Sequence, residues 1–414
     1  MSQPVCGFPE LHPPLTTQAA LTEANRCLFC FDAPCAAACP THIDVPRFIQ
    51  KITTGNLLGS ASTILDANVL GLSCSRVCPV EVLCEGACVL HNVNKKPIAI
   101  GLLQRHAMDY FYEAGGQLPR AAAENGKRVA CIGAGPASLA CAAELRRYGF
   151  AVTIFDKRPL AGGLNTYGVA QYKFSPADSA KEIELIRSTG VEFRSDAEIG
   201  ATMSIPDLER EHDAIFIGIG LGLSQPLGIP GEVLPGVYTA LDFIAAYKTG
   251  QPLPMSDRVV VIGGGNTAID AAVAAKYLGA SQVTVLYRRS AAQMPAFAFE
   301  VEHARQAGVN FVFNAAPTRF AGSRRVASVE YGTDLQIECE TVIVAIGQSR
   351  LLQTLERISG IILNKGKVAV NLQTGQTGNS KYFAGGDCVN GGREVVDAAA
   401  EGKRAARGIV QWLT

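Results

Sequence analysis

Residues 128–157 constrain this chain more than any other stretch. They read Arg128-Val129-Ala130-Cys131-Ile132, then Gly133-Ala134-Gly135-Pro136-Ala137-Ser138, then a helical pattern to Tyr148, then Ala151-Val152-Thr153-Ile154-Phe155-Asp156-Lys157. That is an apolar strand, a glycine turn, a helix, a second apolar strand and an acid. Gly133 permits the tight turn, and Gly135 has no side chain, so a pyrophosphate can approach the backbone. The helix starting at Pro136 and Ala137 offers free N–H groups and the positive end of its dipole to that anion. Asp156, followed by Lys157, stands where a carboxylate accepts a hydrogen bond from a ribose hydroxyl. Ser138 occupies the third glycine position and is small enough for close helix packing. A lone fingerprint of this kind is weak evidence, and a ligand-free structural turn is its alternative.

The pattern recurs. Val259-Val260-Val261-Ile262 leads into Gly263-Gly264-Gly265-Asn266-Thr267, a helix to Leu278 and a strand Gln282–Tyr287. No acid ends this strand; Arg288 and Arg289 follow it. An acid there repels a 2′-phosphate, whereas guanidinium groups pair with it, so NADPH is favoured over NADH. Two arginines on a solvated turn are the plain alternative, and NADH remains possible. A third signal is the apolar Tyr382-Phe383-Ala384, which closes on Gly385-Gly386-Asp387. Gly386-Asp387 after a strand is the distal flavin signature of reductases with two dinucleotide folds. Asp387 accepts from the ribityl chain, and the helix from Glu394, with Val396 in its first turn, stabilises negative charge on reduced flavin. Two fingerprints and Gly386-Asp387 in this order point to FAD.

Composition removes other classes. Lys+Arg and Asp+Glu both number 37 in 414 residues, which gives no attraction for nucleic acid or an anionic membrane. No apolar run is long enough to span a bilayer, and Met1–Leu15 lacks the layout of a signal peptide. A cytoplasmic protein is expected. Clustered cysteines in such a chain read first as metal ligands.

Eight of the thirteen cysteines lie between Cys27 and Cys88. One group is Cys27, Cys30, Cys35 and Cys39, closed by Pro40; the other is Cys74, Cys78, Cys84 and Cys88, with Pro79 after Cys78. A Cys-Pro at the end of a close run is similar to cluster-binding ferredoxins, although the gaps differ. Two zinc sites are the alternative. Between the groups, Phe48, Ile49, Ile52, Leu57, Leu58, Ala61, Ile64 and Leu65 fall at helical spacing. The result is a small helical domain, short of apolar core without its metal.

Arg26-Cys27-Leu28-x-Cys30-x-Asp32-Ala33-Pro34-Cys35, Cys39-Pro40-Thr41-x-Ile43-Asp44 and Leu70-Gly71-Leu72-x-Cys74-x-x-Val77-Cys78-Pro79 resemble the N-terminal part of dihydropyrimidine dehydrogenase. The wider family includes the small subunit of glutamate synthase, in which two residues usually follow the Cys-Pro cysteine before the next. Here five separate Cys78 from Cys84. The resemblance covers essentially the whole chain. It implies one four-iron cluster on Cys27, Cys30, Cys35 and Cys88, and another on Cys39, Cys78, Cys84 and Gln104; counting alone would choose Cys74 as the eighth ligand. It also matches Gly162-Gly163-Leu164, with Lys173, to a flavin-side loop, and Met294 to Glu300 to the nicotinamide side. Lys173 and Asp387 are its candidate catalytic groups.

The expected fold is α/β: two Rossmann-like dinucleotide-binding domains, one inserted in the other, preceded by a small α-helical iron–sulfur domain. The domains fall at 1–115, at 116–224 with 347–414, and at 225–346. Disulfide reductases of this architecture need a close cysteine pair near the flavin. Cys131 and Cys141 are ten apart and read as core, Cys388 has no near partner, and Cys6 and Cys339 read as incidental. The resemblance therefore implies an electron-input subunit: hydride from NADPH to FAD, then electrons through two 4Fe-4S clusters to a partner subunit carrying FMN that reduces uracil or thymine. A glutamate synthase small subunit, or the input module of another reductase, is one alternative, and a non-catalytic flavoprotein scaffold is another.

Overall fold

The computed structural model describes residues 8–251, 253, 255–349 and 355–414; Cys6 lies outside them. Its contacts divide the chain into two compact units. The larger holds His12–Asn165, Ala177–Leu221 and the C-terminal stretch to Thr414; the smaller holds Gly222–Ser349, Thr166–Pro176 and the segment ending at Leu11.

The larger unit begins with six helices, α1 (Thr17–Ala24), α2 (Pro34–Ala37), α3 (Val45–Thr53), α4 (Leu57–Ala67), α5 (Gly71–Val77) and α6 (Ile100–Glu113). Local chemistry sets their starts. The Asp44 carboxylate accepts from Arg47 N at 3.1 Å and Pro46 sits in the first turn, so α3 begins where a cap and a fixed φ favour it. Asn56 caps α4 in the same way. The helical spacing from Phe48 to Leu65 becomes α3 and α4, which bury Phe48, Ile49, Ile52, Ala61, Ile64 and Leu65; Leu58 faces outward. Cys74 lies inside α5 rather than in a loop.

A five-stranded parallel sheet follows. It comprises β1 (Arg128–Ile132), β2 (Ala151–Phe155), β3 (Glu192–Arg194), β4 (Ala214–Ile217) and Tyr382–Ala384, with that last strand next to β4 and the order continuing β4-β1-β2-β3. Val129 and Cys131 face α7 (Pro136–Arg147) and the C-terminal helix Val395–Leu413, in a core with Leu139, Phe150, Phe216 and Ile409. Ala130 and Ile132 face the other way, with Ile215, Ile217 and Tyr382. Both faces are covered, so the strands are unbroken apolar runs. The strand order reverses between β1 and β4, which is where open α/β sheets bind ligands, at the carboxyl ends of the strands.

The smaller unit repeats the scheme. Val237–Thr239, Thr341–Val344, Arg258–Ile262, Gln282–Tyr287 and Val309–Phe313 lie in that order in a second parallel sheet. Helices Ala240–Lys248, Asn266–Tyr277 and Ala298–Gln306 belong to the same unit, and the first two pack with Val259, Val261, Val283 and Ile343. Its other face packs on an antiparallel sheet of Pro317–Ala321, Ser328–Tyr331 and Leu335–Glu338. The apolar pattern predicts a strand over 327–331 but neither flanking strand. Both are short and half-exposed, so their pattern is thin. Among the described residues no single helix is long and apolar enough to cross a membrane.

Candidate functional site

The first fingerprint forms a cradle of backbone. Gly133 has φ +90°, and a Cβ there would lie 2.6 Å from the Gly218 carbonyl, so no other residue fits. Ser138 is fully buried, and the residue its hydroxyl approaches is Gly218, where a Cβ would stand 2.2 Å from Ser138 Oγ. A glycine on the facing strand end thus makes the room that the missing third glycine would have made. A Cβ on Gly135 would have no atom nearer than 3.9 Å, so the backbone there lies open. The Gly162-Gly163 loop closes one side: Gly162 N donates to Ala134 O at 2.8 Å, and a Cβ on Gly163 would strike Gly135 Cα. Leu164 starts the short helix that follows this loop.

No side chain caps α7, so its first N–H groups, including that of Ala137, face the cradle. Gly386, at φ +76°, brings the Asp387 turn against Ala137, since a Cβ there would be 3.0 Å from Ala137 Cβ. Asp387 Oδ1 accepts from Arg393 N at 3.2 Å, and burial pushes its carboxyl up. The C-terminal helix, with Val396 buried in its first turn, also starts without a side-chain cap. Asp156 does more than wait for a ribose. Its Oδ2 accepts from Ala134 N at 2.6 Å and its Oδ1 from Arg158 N at 2.8 Å, locking the turn. Each oxygen keeps a further lone pair for a hydroxyl. Lys157 is exposed beside it. Open backbone over Gly135 and two uncapped helix starts are the donor set that a flavin dinucleotide fits.

In the smaller unit a cavity of about 500 Å³ is lined by Gly263, Gly264, Gly265, Thr267, Tyr287, Arg288 and Arg289 among others. The helix from Asn266 starts without a side-chain cap. The Asn266 side chain instead accepts from Phe297 N at 2.9 Å, tying down the loop that carries Met294. Both arginines are exposed at the cavity wall, just past the end of the strand Gln282–Tyr287.

Lys173 is the site residue whose surroundings sequence alone does not show. Its Nζ lies 2.6 Å from Asp270 Oδ1 and 2.6 Å from Glu300 Oε1, all three side chains being buried. Tyr172 Oη donates to Asp270 Oδ1 at 2.9 Å. Burial by itself lowers the Lys173 pKa, but the two carboxylates outweigh it and hold the amine protonated. Asp270 lies on the fingerprint helix with no role legible in the sequence. Here it and Glu300, which the resemblance puts on the nicotinamide side, make one buried charge cluster with the lysine.

The cysteines form two sets. Cys27, Cys30, Cys35 and Cys88 line a single small pocket in the larger unit. Burial, and then the Cys27 and Cys88 thiols, push Cys35 up to about 11. Around Cys78 stand Cys74, Cys84 and Cys39. A hydrogen bond with Cys74 and burial push the Cys78 thiol well up. Crowded thiols held protonated in this way are what a cation-rich cluster would relieve, so the residues fit the group. Among the described residues no three His, Cys, Asp or Glu side chains converge on one ion, as a tetrahedral zinc at about 2.0–2.3 Å would need. Gln104 is buried on α6, and its Nε2 donates to Gly71 O at 2.8 Å, at the start of α5. Cys74 Sγ accepts from Asn68 Nδ2 at 3.1 Å. The resemblance leaves Cys74 out of both clusters; the structure puts it against Cys78.

Residues 127–402 match the family described as pyridine nucleotide-disulphide oxidoreductase. The chain belongs to that family. Residues 5–116 match the dihydropyrimidine dehydrogenase domain II, 4Fe-4S cluster family. Among similar proteins, the glutamate synthase [NADPH] small chain of Escherichia coli (strain K12) is 34% identical over 98% of this chain and 94% of its own length. The NAD-dependent dihydropyrimidine dehydrogenase subunit PreT of the same organism is 34% identical over 98% of this chain and 97% of its own. The crystal structure of T. acidophilum thioredoxin reductase covers 68% of this chain and 97% of its own at a TM-score of 0.58, and at 20% identity it shows the fold alone. This chain is therefore an iron–sulfur flavin NAD(P)H oxidoreductase of the glutamate synthase small-subunit and PreT family. Among the described residues of the flavin segment, the cysteines do not offer the exposed pair that disulphide chemistry needs. Cys131 and Cys141 are buried side by side in the core, and Cys388 is buried with its thiol on the Ile217 and Gly385 carbonyls.

Proposed function

We propose that this pyridine nucleotide oxidoreductase takes hydride from NADPH onto FAD and sends the electrons through two 4Fe-4S clusters to a partner subunit carrying FMN, which reduces uracil or thymine. The observation that supports this most is the presence of two glycine cradles and two separate cysteine sets in one chain. When bound, the flavin accepts a hydride and releases electrons singly, and the clusters carry them onward. The chain's own residues bind and orient. Gly133, Ala134, Gly135, Pro136 and Ala137 receive the flavin pyrophosphate, and Asp156 and Asp387 accept from its hydroxyls. Gly263–Thr267 receive the nicotinamide dinucleotide, and Arg288 and Arg289 pair with its 2′-phosphate; NADH is the alternative donor. Lys173 and Glu300 hold the charge cluster of the nicotinamide unit.

Cys27, Cys30, Cys35 and Cys88 hold one cluster; Cys39, Cys78, Cys84 and Gln104 hold the other. A hydrogen bond joins the two side chains with the Cys78 thiol as donor, and in this reading Cys74 stands beside the cluster as a tuning neighbour rather than a ligand. In this reading 1–115 carries the clusters, 116–224 with 347–414 the flavin, and 225–346 the nicotinamide, in a cytoplasmic hetero-oligomer that binds neither nucleic acid nor membrane. A second reading, an input subunit for glutamate synthase, has equal sequence identity behind it; the five residues between Cys78 and Cys84 favour the pyrimidine enzyme.

The test is reconstitution. Alone, the chain should reduce a dye with NADPH and form no dihydrouracil. Adding an FMN-containing partner should restore pyrimidine reduction. Dihydrouracil made by the isolated chain would refute the division of labour, and glutamate formation with a glutaminase partner would select the second reading.

A further inference from the structure

We infer that Glu182 is a positioning residue for electron transfer from flavin to cluster, because it caps the cysteine helix α5 from the flavin-binding segment. Glu182 acts within the route proposed above, so its role rests on that reading. Helix α5 has no cap of its own: its N-cap is Leu70, which offers no side-chain acceptor. Its free N–H groups are met instead from the helix Pro176–Arg187, which follows the flavin-side loop in sequence. Glu182 Oε1 accepts from Ser73 N at 2.8 Å. Ser73 holds the third position of α5, one that an N-cap side chain normally serves. The other carboxylate oxygen accepts from the Ser73 hydroxyl.

Ser73 is a hub as well. Its Oγ accepts from Asn165 Nδ2 at 2.8 Å. Asn165 ends the Gly162-Gly163-Leu164 run whose Gly163 presses on Gly135 of the flavin cradle. Ser73 precedes Cys74, and α5 ends at Cys78. An unbroken series of contacts therefore joins Gly135 to Gly163, Asn165 to Ser73, and Ser73 to the helix that carries the Cys78 ligand. Ser73, Asn165 and Glu182 are 0%, 2% and 2% exposed, so bulk solvent does not compete for these bonds. A second grip from the same helix steadies α5: Asp178 lies 3.8 Å from Arg76 Nε, and Arg76 also pairs with Asp109. A carboxylate bonded to one N–H group and one hydroxyl of Ser73 fixes the start of α5, and a small misplacement of a donor relative to an acceptor costs rate steeply.

The experiment uses the full chain, purified anaerobically with its cofactors, as Glu182→Ala, Glu182→Gln and Ser73→Ala. Iron per chain and the electron paramagnetic resonance spectrum of the reduced clusters are read first. Stopped-flow absorbance then follows flavin and clusters separately after NADPH is added. Flavin reduction should keep the wild-type rate in all three. Electron arrival at the clusters should slow about tenfold or more in Glu182→Ala and Ser73→Ala, with an altered resonance line shape. Glu182→Gln, whose amide oxygen still accepts from the backbone, should recover most of the rate. Should Glu182→Ala lose iron, Ser73→Ala carries the test, since it deletes one hydroxyl and spares the backbone bond. Iron-replete variants with wild-type transfer would overturn the role of Glu182 alone, whereas an iron-free wild-type chain would overturn the cluster reading beneath it.

Discussion

Lys173 Nζ lies 2.6 Å from Asp270 Oδ1, and neither side chain is more than a tenth exposed. Glu300 completes the cluster from a different helix, so the loop that carries Lys173 is pinned to two helices of the smaller unit. Replacing the lysine strands two buried carboxylates. Lys173→Met should therefore cost about 3–5 kcal/mol of stability, the usual penalty for breaking a buried pair from one side. Denaturant unfolding of the purified variant measures it. A loss under about 1 kcal/mol, the scale of a surface pair, would show that the carboxylates protonate or find solvent instead.

The cluster ligands can be separated by iron analysis. Wild-type protein prepared without oxygen should hold about eight iron atoms and as much acid-labile sulfide per chain, with one flavin. Cys78→Ala and Gln104→Leu should each lose about half the iron. Cys74→Ala should keep all of it and shift only the potential of the cluster next to it. Loss of iron from Cys74→Ala, with none from Gln104→Leu, would make the cysteine the eighth ligand. Stoichiometric zinc would refute both clusters.

Arg288 and Arg289 predict a cofactor preference. Charge-assisted hydrogen bonds to a 2′-phosphate contribute about 1.5–3 kcal/mol each. The double alanine variant should therefore raise KM for NADPH by about two to four orders of magnitude while changing KM for NADH by about threefold at most. Steady-state dye reduction with each donor decides it, and equal losses for both would remove the phosphate role.

Lys248 gives the chain a pH dependence whose sign is fixed by burial. Its Nζ donates to Val169 O at 2.8 Å and to Phe174 O at 3.1 Å, holding both ends of the loop that carries Tyr172 and Lys173. Burial lowers its pKa to about 7, against a smaller upward pull from Asp270. Between that value and the ordinary lysine range the unfolded chain binds the proton and the folded chain does not. Stability from this group is thus full above the ordinary lysine range and is lost progressively as pH falls to about 7, where the loss is complete. Urea unfolding from about pH 7 to about pH 10 should show wild type gaining stability with pH. Lys248→Met should be weaker throughout, by about 1–3 kcal/mol for the two orphaned carbonyls, and flatter across the window. An unchanged slope in the variant would assign the dependence to other groups.

The sequence by itself determined the elements whose causes are local. Gly133 and Gly263 announce turns because only glycine takes those backbone angles, and the apolar runs beside them announce buried parallel strands. The cysteine groups and Gly386-Asp387 stand out for the same reason: each is a run of residues close together in the chain. What the tertiary structure decided are the pairings between residues far apart. Ser138 works as a third glycine because Gly218 faces it, and no rule of spacing predicts that neighbour. Lys173 became a buried ion-pair centre only when Asp270 and Glu300 met it. Glu182 reads in sequence as an ordinary acid on a surface helix. It is buried because the uncapped N–H groups of α5 need an acceptor, and a buried helix start takes one from whatever element the fold packs against it.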